Sequence, residues 1–175
     1  MRGKRVQIHW GVEMMRKFVG VALFVCLFSF LVVAQEAPKA EVFGGYQFTH
    51  LEPSFNGSGW NGAATYYLNN WLGVTGDFSG AYKSGFNFTT FTGGPVISSH
   101  KGKIAPFAHA LFGGGHASAG GFSNTGFTML FGGGVDMGGQ RIAFRMAQVD
   151  WMMNRFSGVT SSKNVRVSTG VMFRF

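Results

Sequence analysis

The final stretch of the chain, NVRVSTGVMFRF, divides by parity. Val165, Val167, Thr169, Val171, Phe173 and Phe175 form one set, and Arg166, Ser168, Gly170, Met172 and Arg174 form the other. Successive strand residues point to opposite faces, so the pattern predicts a strand with one oily side and one side carrying two arginines. The same alternation recurs upstream. Trp60, Gly62, Ala64, Tyr66 and Leu68 oppose Asn61, Ala63, Thr65 and Tyr67; Leu72, Val74, Phe78 and Tyr82 oppose Thr75, Asp77 and Ser79; Ile142, Phe144 and Met146 oppose Arg141, Ala143 and Arg145. No helical period follows residue 40. The chain instead breaks at Gly, Asn and Ser into eight strand-length runs, near 41–50, 59–68, 71–82, 86–98, 104–115, 125–136, 141–151 and 163–175.

The connections alternate in length. Asn69-Asn70, SHKGK and MGGQ are short, while 51–58, 116–124 and 152–162 are longer; 83–85 departs from the pattern. Short turns at one end and longer loops at the other are the organisation of an up-and-down barrel, and pairing the first strand with the last would remove both edges. Periodicity does not say which face is inside. Three features do. Small residues dominate the mixed polar face, as a narrow lumen filled by side chains requires. Aromatic residues gather near strand ends: Tyr66 and Trp71 at one, Trp60, Tyr82 and Trp151 at the other. The run from Arg141 to Trp151, at about 3.3 Å per residue and a tilt near 40°, rises about 25 Å, the height of an apolar membrane band. Finally, the chain ends on Phe175, an oily residue with nothing after it to cover it. The oily face is therefore expected to meet lipid, where only a structure with every backbone group paired is stable.

Residues 18–34, FVGVALFVCLFSFLVVA, follow Arg16-Lys17 and precede the polar QEAPKA. A positive segment, an apolar run and small residues at the end make a cleavable secretory signal peptide, with cleavage expected after Ala34. Trp10 and Glu13 fit such a leader poorly, and Met14 or Met15 would open a conventional one. Its removal takes away Cys26, the only cysteine, and with it disulfide, thiol and cysteine-metal chemistry. The formal charge of the whole chain is +8; residues 35–175 hold ten Lys/Arg against six Asp/Glu, or +4. No basic run remains to argue for nucleic acid. A charged fraction of 13% is half the roughly 25% of a soluble domain, consistent with a surface that does not face water.

The inward charges expected from parity are Asp77, Arg145, Arg166, Arg174 and Asp150. Asp150 and Gln148 fall out of phase with Arg145. A β-bulge near Met146–Ala147 would return both to the lumen and keep Val149 and Trp151 on lipid, since a lipid-facing charge costs some kcal/mol. Buried charges need partners, and an Asp/Arg network closing a narrow lumen supplies them. The alternative is an ion-conducting gate built on the same residues.

The segments GWNGAATYYLNNWLGVTGDFSGAY, PFAHALFGGG, IAFRMAQVDWMMNRF and VRVSTGVMFRF resemble the small outer-membrane β-barrel proteins of Gram-negative bacteria, the OmpA/OmpX-like class. The likeness runs over residues 41–175 and is most specific in LGVTGDFSG and the terminal aromatic strand. It implies export through the Sec pathway, periplasmic chaperones, and the barrel-assembly machinery, for which Phe173 and Phe175 occupy the recognition positions. It implies outer-membrane lipid and lipopolysaccharide as surroundings and a monomer, and no particular reaction.

Some barrels of this size act on lipid A through His, Ser and a carboxylate. Here His50 and His116 lie near the outer rim with Ser118 and Ser123, His100 lies in a turn, and the phase of His109 is unresolved, as are those of strands 4 and 5. A lone rim histidine is more often hydrated than catalytic, so an enzyme is not expected. The glycine runs 113–115 and 132–134 precede no helix and so are not phosphate loops. Together these readings give an all-β, eight-stranded antiparallel up-and-down transmembrane β-barrel (residues 41–175) behind a signal peptide (1–34) and a short linker (35–40). A structural or surface-interaction role is expected, without cofactor or metal; a small ion pore, or a lipid A-modifying enzyme, is the alternative.

Overall fold

The computed structural model describes residues 38–175, so the expected leader and most of the linker lie outside the described residues. Eight strands follow in order: β1 (Ala40–Leu51), β2 (Phe55–Tyr67), β3 (Leu72–Lys83), β4 (Phe86–Ser98), β5 (Ile104–Ala119), β6 (Phe122–Gly138), β7 (Ile142–Phe156) and β8 (Val159–Arg174). Each pairs antiparallel with its neighbours, and the sheet closes on itself. The closing seam joins β1 to β8 from Glu41↔Arg174 to His50↔Val165. Closure leaves the paired wall without a free edge, as a sheet in hydrocarbon requires.

The wall is inverted relative to a soluble barrel. Thirty large hydrophobic side chains among the described residues point outward, Val171, Phe144 and Phe173 among them, while the buried set holds twenty polar or charged residues and thirteen hydrophobic ones. The alternation seen in the sequence is thus an outside-in pattern. Ile104, Phe112, Phe131, Met137 and Val149 continue the oily exterior onto β5, β6 and β7. The aromatic residues expected at the borders all face outward. Tyr66 and Trp71 stand toward the end where β1 begins and β8 finishes, and Trp60, Tyr82 and Trp151 stand higher, with Trp60 Nε1 donating to Tyr82 Oη at 3.1 Å.

Two expectations need correction. The longer loops do not exist as loops. Strands β5 to β8 run on to Ala119, Phe122, Phe156 and Val159, and the segments 51–58, 83–85, 116–124 and 152–162 reduce to turns of two or three residues. The physical cause is turn chemistry. Ser84-Gly85, Gly120-Gly121 and Ser157-Gly158 all have positive φ at both positions, the two-residue hairpin geometry whose twist matches that of the flanking strands. Ser-Gly and Gly-Gly inside polar stretches read as loop, yet they are compact reversals. The connections at the other end, 68–71, 99–103 and 139–141, have three to five residues. Second, Trp71 does not open β3; it lies in the preceding turn, where Asn69 Oδ1 accepts from the backbone N–H groups of Trp71 and Leu72 at 3.0 and 2.8 Å.

Alternation breaks once in β7. Met146 and Ala147 both face outward, and the ladders to β6 and β8 shift there, Asp136 pairing with Arg145 but Val135 with Ala147. This is a β-bulge, two residues opposite one. Thr169 Oγ1 donates to the Arg145 carbonyl at 2.8 Å beside it. Arg145, Gln148, Asp150 and Met152 all turn inward as a result.

Candidate functional site: the lumen

The lumen is filled in zones. Nearest the hairpin end, Leu51, Phe88, Leu111, Leu130 and Met152 form a buried cluster, with Phe55, Phe86, Ala117 and Phe156 packed against it. These residues share parity with the polar face, so a lumen of small polar side chains describes only part of the interior. Phe88 and Leu111 fall on strands whose phase the sequence leaves open, and Leu130 and Met152 lie beyond a glycine run and a bulge that obscure parity.

Below this cap runs a chain of charge-assisted hydrogen bonds. Arg166, fully buried on β8, donates to Asp77 Oδ1 and Oδ2 of β3 at 2.7 and 3.2 Å and to Asp150 Oδ2 of β7 at 2.8 Å. Asn61 Nδ2 adds a bond to Asp77 at 2.8 Å. Gln148 Nε2 donates to Asp150 Oδ2 at 2.7 Å and its Oε1 accepts from Arg145 Nη1 at 2.6 Å. Arg145 in turn forks onto Asp136 through Nε and Nη2 at 2.8 and 3.2 Å. His109 Nε2 lies 2.8 Å from Asp150 Oδ1, so this histidine faces the lumen. The backbone makes room: a side chain at Gly132 would collide with the Asp150 carboxylate. Ionised partners give bonds about twice as strong as neutral ones, and the buried carboxylates are held by fixed donors.

Toward the mouth where β1 begins and β8 finishes, the Arg145 guanidinium is stacked between Phe43 and Phe107 at 4.4 and 4.0 Å from the ring centroids. Phe43, Ala143 and Met172 pack together, as do Tyr67, Val96 and Phe107. At the mouth itself Glu41 is the hub. Its Oε1 accepts from Arg174 Nε at 2.9 Å and lies 3.1 Å from His100 Nε2, while Oε2 accepts from Tyr67 Oη at 2.9 Å.

Of the five charges expected inside, Asp77, Asp150, Arg166 and Arg145 lie in one connected chain; Arg174 stands apart, at the mouth, with Glu41. Sequence reasoning did not assign Glu41, Asp136 or His109. Glu41 opens β1 and stands opposite Arg174 across the closing seam, a register that the sequence does not carry. Asp136 lies an even number of residues from Leu130, on the inward parity of β6. The rim histidines form no triad: His50 Nδ1 is 2.6 Å from Asn56 Oδ1 and His116 Nδ1 is 2.9 Å from Thr125 Oγ1. The terminal Phe173 and Phe175 are both exposed on the outer face.

A closed eight-stranded wall, oily outside and charged within, has known counterparts. The chain superposes on Neisserial surface protein A (NspA) with a TM-score of 0.64 at 15% identity, over 78% of this chain and 96% of that one. Its fold is that of the small outer-membrane β-barrels. Ail, the attachment invasion locus protein of Yersinia pestis, matches with a TM-score of 0.55 at 18% identity, over 80% of this chain and all of that one. The N-terminal β-barrel domain of Pseudomonas aeruginosa OprF matches at 0.52 and 12%, again over 80% and 100%. No family model matches the chain, and no curated protein does so significantly. The shared property is architecture: at these identities the eight-stranded outer-membrane barrel scaffold is common, and the side chains inside it are this chain's own.

Proposed function

We propose that this chain is an integral outer-membrane barrel with a structural or surface-interaction role and a lumen closed to ion flow. The observation that carries the reading is the packed interior. Between the apolar cap and the Glu41 hub lies an internal cavity of only about 20 Å³, bordered by Asp77, His109, Gln148 and Arg145. That is room for about one water molecule, far from a conducting path. The exterior supports residence in lipid, since its band of Val, Ile and Phe would otherwise be exposed to water. Export through the Sec pathway, a monomeric state and insertion by the barrel-assembly machinery belong to the same reading, with Phe173 and Phe175 as its recognition residues. No nucleic-acid partner, cofactor or catalytic role is proposed; the lumen histidine His109 is held by a carboxylate within the packed core, where no substrate has access.

Two measurements test the reading. The folded chain in detergent should migrate differently on a gel before and after boiling. In planar bilayers it should show no conductance steps. Regular steps in the unmodified protein would favour the small-pore alternative, and altered lipid A acylation in cells carrying the gene would favour the enzyme.

A further inference from the structure

We infer that the rim where β1 begins and β8 finishes is a docking surface for anionic phospholipid headgroups, held by Lys39, Lys101, Lys103 and Arg141. The inference rests on the membrane-barrel reading and adds which end grips the bilayer and what headgroup charge it selects.

The first observation is charge without partners. Lys39, Lys103 and Arg141 are exposed and Lys101 is half-buried, and among the described residues none of the four enters an ion pair. The carboxylates on this side are already engaged. Glu41 is buried against Arg174, His100 and Tyr67, and Asp136 is buried against Arg145. The terminal oxygen of Phe175 accepts from the backbone N–H groups of Lys39 and Ala40 at 2.8 and 3.2 Å. Glu52, the one exposed side-chain carboxylate among the described residues, lies at the opposite end, where it takes up Lys163 at 3.5 Å.

The second observation is depth. Lys103 and Arg141 each immediately precede an outward-facing isoleucine, Ile104 and Ile142, which are 53% and 58% exposed. Lys39 lies beside Phe175, 71% exposed, and Tyr66 and Trp71 face outward at the same end. Oily side chains followed at once by cations mark the boundary between hydrocarbon and headgroups, where aromatic rings settle and Lys and Arg reach for phosphate.

The third is arrangement. The Lys103 carbonyl accepts from the Gly138 N–H and the Arg141 carbonyl from the Arg174 N–H, each at 2.9 Å, so both turns are tied to a neighbouring strand. The cations therefore follow one arc, β5–β6–β7–β8–β1. With strands about 4.8 Å apart, Lys103, Arg141 and Lys39 stand about 10 Å from one to the next. The remaining turn, 68–71, carries no charge. A lipid headgroup is the occupant that fits, because the cations sit one residue from side chains that meet acyl chains, and a phosphate anchored in that leaflet lies at their own depth. A zwitterionic headgroup brings its own ammonium and gains less than one of net negative charge.

Native mass spectrometry of the folded chain, released from micelles holding equal amounts of phosphatidylglycerol and phosphatidylcholine, tests this. Retained phosphatidylglycerol should exceed phosphatidylcholine by at least about fivefold, the effect of one engaged cation. The excess should shrink as salt is raised. The variant carrying Lys39→Gln, Lys101→Gln, Lys103→Gln and Arg141→Gln, shown to be folded by its heat-dependent gel shift, should retain the two lipids equally. The double variant Lys101→Gln, Lys103→Gln should fall between it and the parent, and Lys83→Gln with Arg155→Gln, at the hairpin end, should match the parent. Equal retention by the unmodified chain, an excess indifferent to salt, a preference that survives in the folded rim variants, or one lost from the hairpin-end variant would overturn the docking surface and leave the barrel reading standing. Absence of the heat-dependent gel shift from the unmodified chain would remove the membrane-barrel reading and the docking surface with it.

Discussion

Arg166 is the most informative single residue to remove. It holds two carboxylates at once, Asp77 through both terminal nitrogens and Asp150 through Nε, and it is wholly buried. Arg166→Met conserves most of the volume and deletes the charge. Asp77 is then left with Asn61, and Asp150 with His109 and Gln148. Removing one partner of a buried pair strands the other and costs about 3–5 kcal/mol. At 1.36 kcal/mol per decade, that lowers the folded-to-unfolded ratio by about 150- to 5,000-fold. Neutralising the stranded groups should relieve much of this. The triple variant Asp77→Asn, Asp150→Asn, Arg166→Met is expected to be more stable than Arg166→Met alone, by at least about 1 kcal/mol, because no uncompensated charge remains. Urea titration of the barrel in lipid vesicles, followed by fluorescence of Trp60, Trp71 and Trp151, measures all the variants on one scale. If Arg166→Met costs less than about 1 kcal/mol, or the triple variant is the less stable of the two, the charges are not mutually dependent and the network is misdescribed.

Other consequences are as specific. Leu130→Ala, at a fully buried position of the cap, should cost about 2–5 kcal/mol in the same titration, whereas Phe122→Ala at an exposed hairpin tip should fall within about 0.5 kcal/mol of the parent. Val171→Arg, on the outer face, should cost about 2–4 kcal/mol if that face lies near the bilayer midplane, and an unchanged midpoint would argue against lipid contact there. Deleting Met146 removes the bulge without changing the parity of Arg145, so the variant should still show the heat-dependent gel shift; deleting Val149 sends Gln148 and Arg145 to the outer face and should abolish it. Deleting Phe175 should leave refolding of the purified chain in detergent unchanged while lowering the amount assembled in cells; equal assembly would remove its proposed role as a recognition residue.

Much of this protein is legible along the chain because alternation is a local property. A strand ending in Val171 and Phe173 on one side and Arg166 and Arg174 on the other carries its two faces in its own residues, and eight such runs with the first and last free to pair describe a closed sheet. Even the interruption at Met146 is readable, since Asp150 and Gln148 are placed on lipid without it. The hairpin reversals were harder. Gly120-Gly121 and Ser157-Gly158 sit in stretches whose polar composition is that of a loop, and only their positive φ angles reveal that the strands continue to within two residues of each other. Leu111 was hidden for another reason: the small residues around it, Ala108 and Ala110 before and the glycines after, give too little contrast to set a phase.

The amino-acid order alone determined which side chains share a face, because the two-residue period of a strand needs no information from elsewhere in the chain. It did not determine who meets whom inside. Asp77 and Arg166 are 89 residues apart and touch across the lumen; Glu41 and Arg174 are 133 apart and close the seam; Leu51 and Met152 pack in one cap from the two ends of the chain. Those meetings follow from the stagger with which the strands close, a quantity set by all eight pairings together. The tertiary structure therefore decided how the interior is divided into an apolar cap and a charge-paired polar zone. Parity places a residue indoors, and only closure of the cylinder gives it a neighbour.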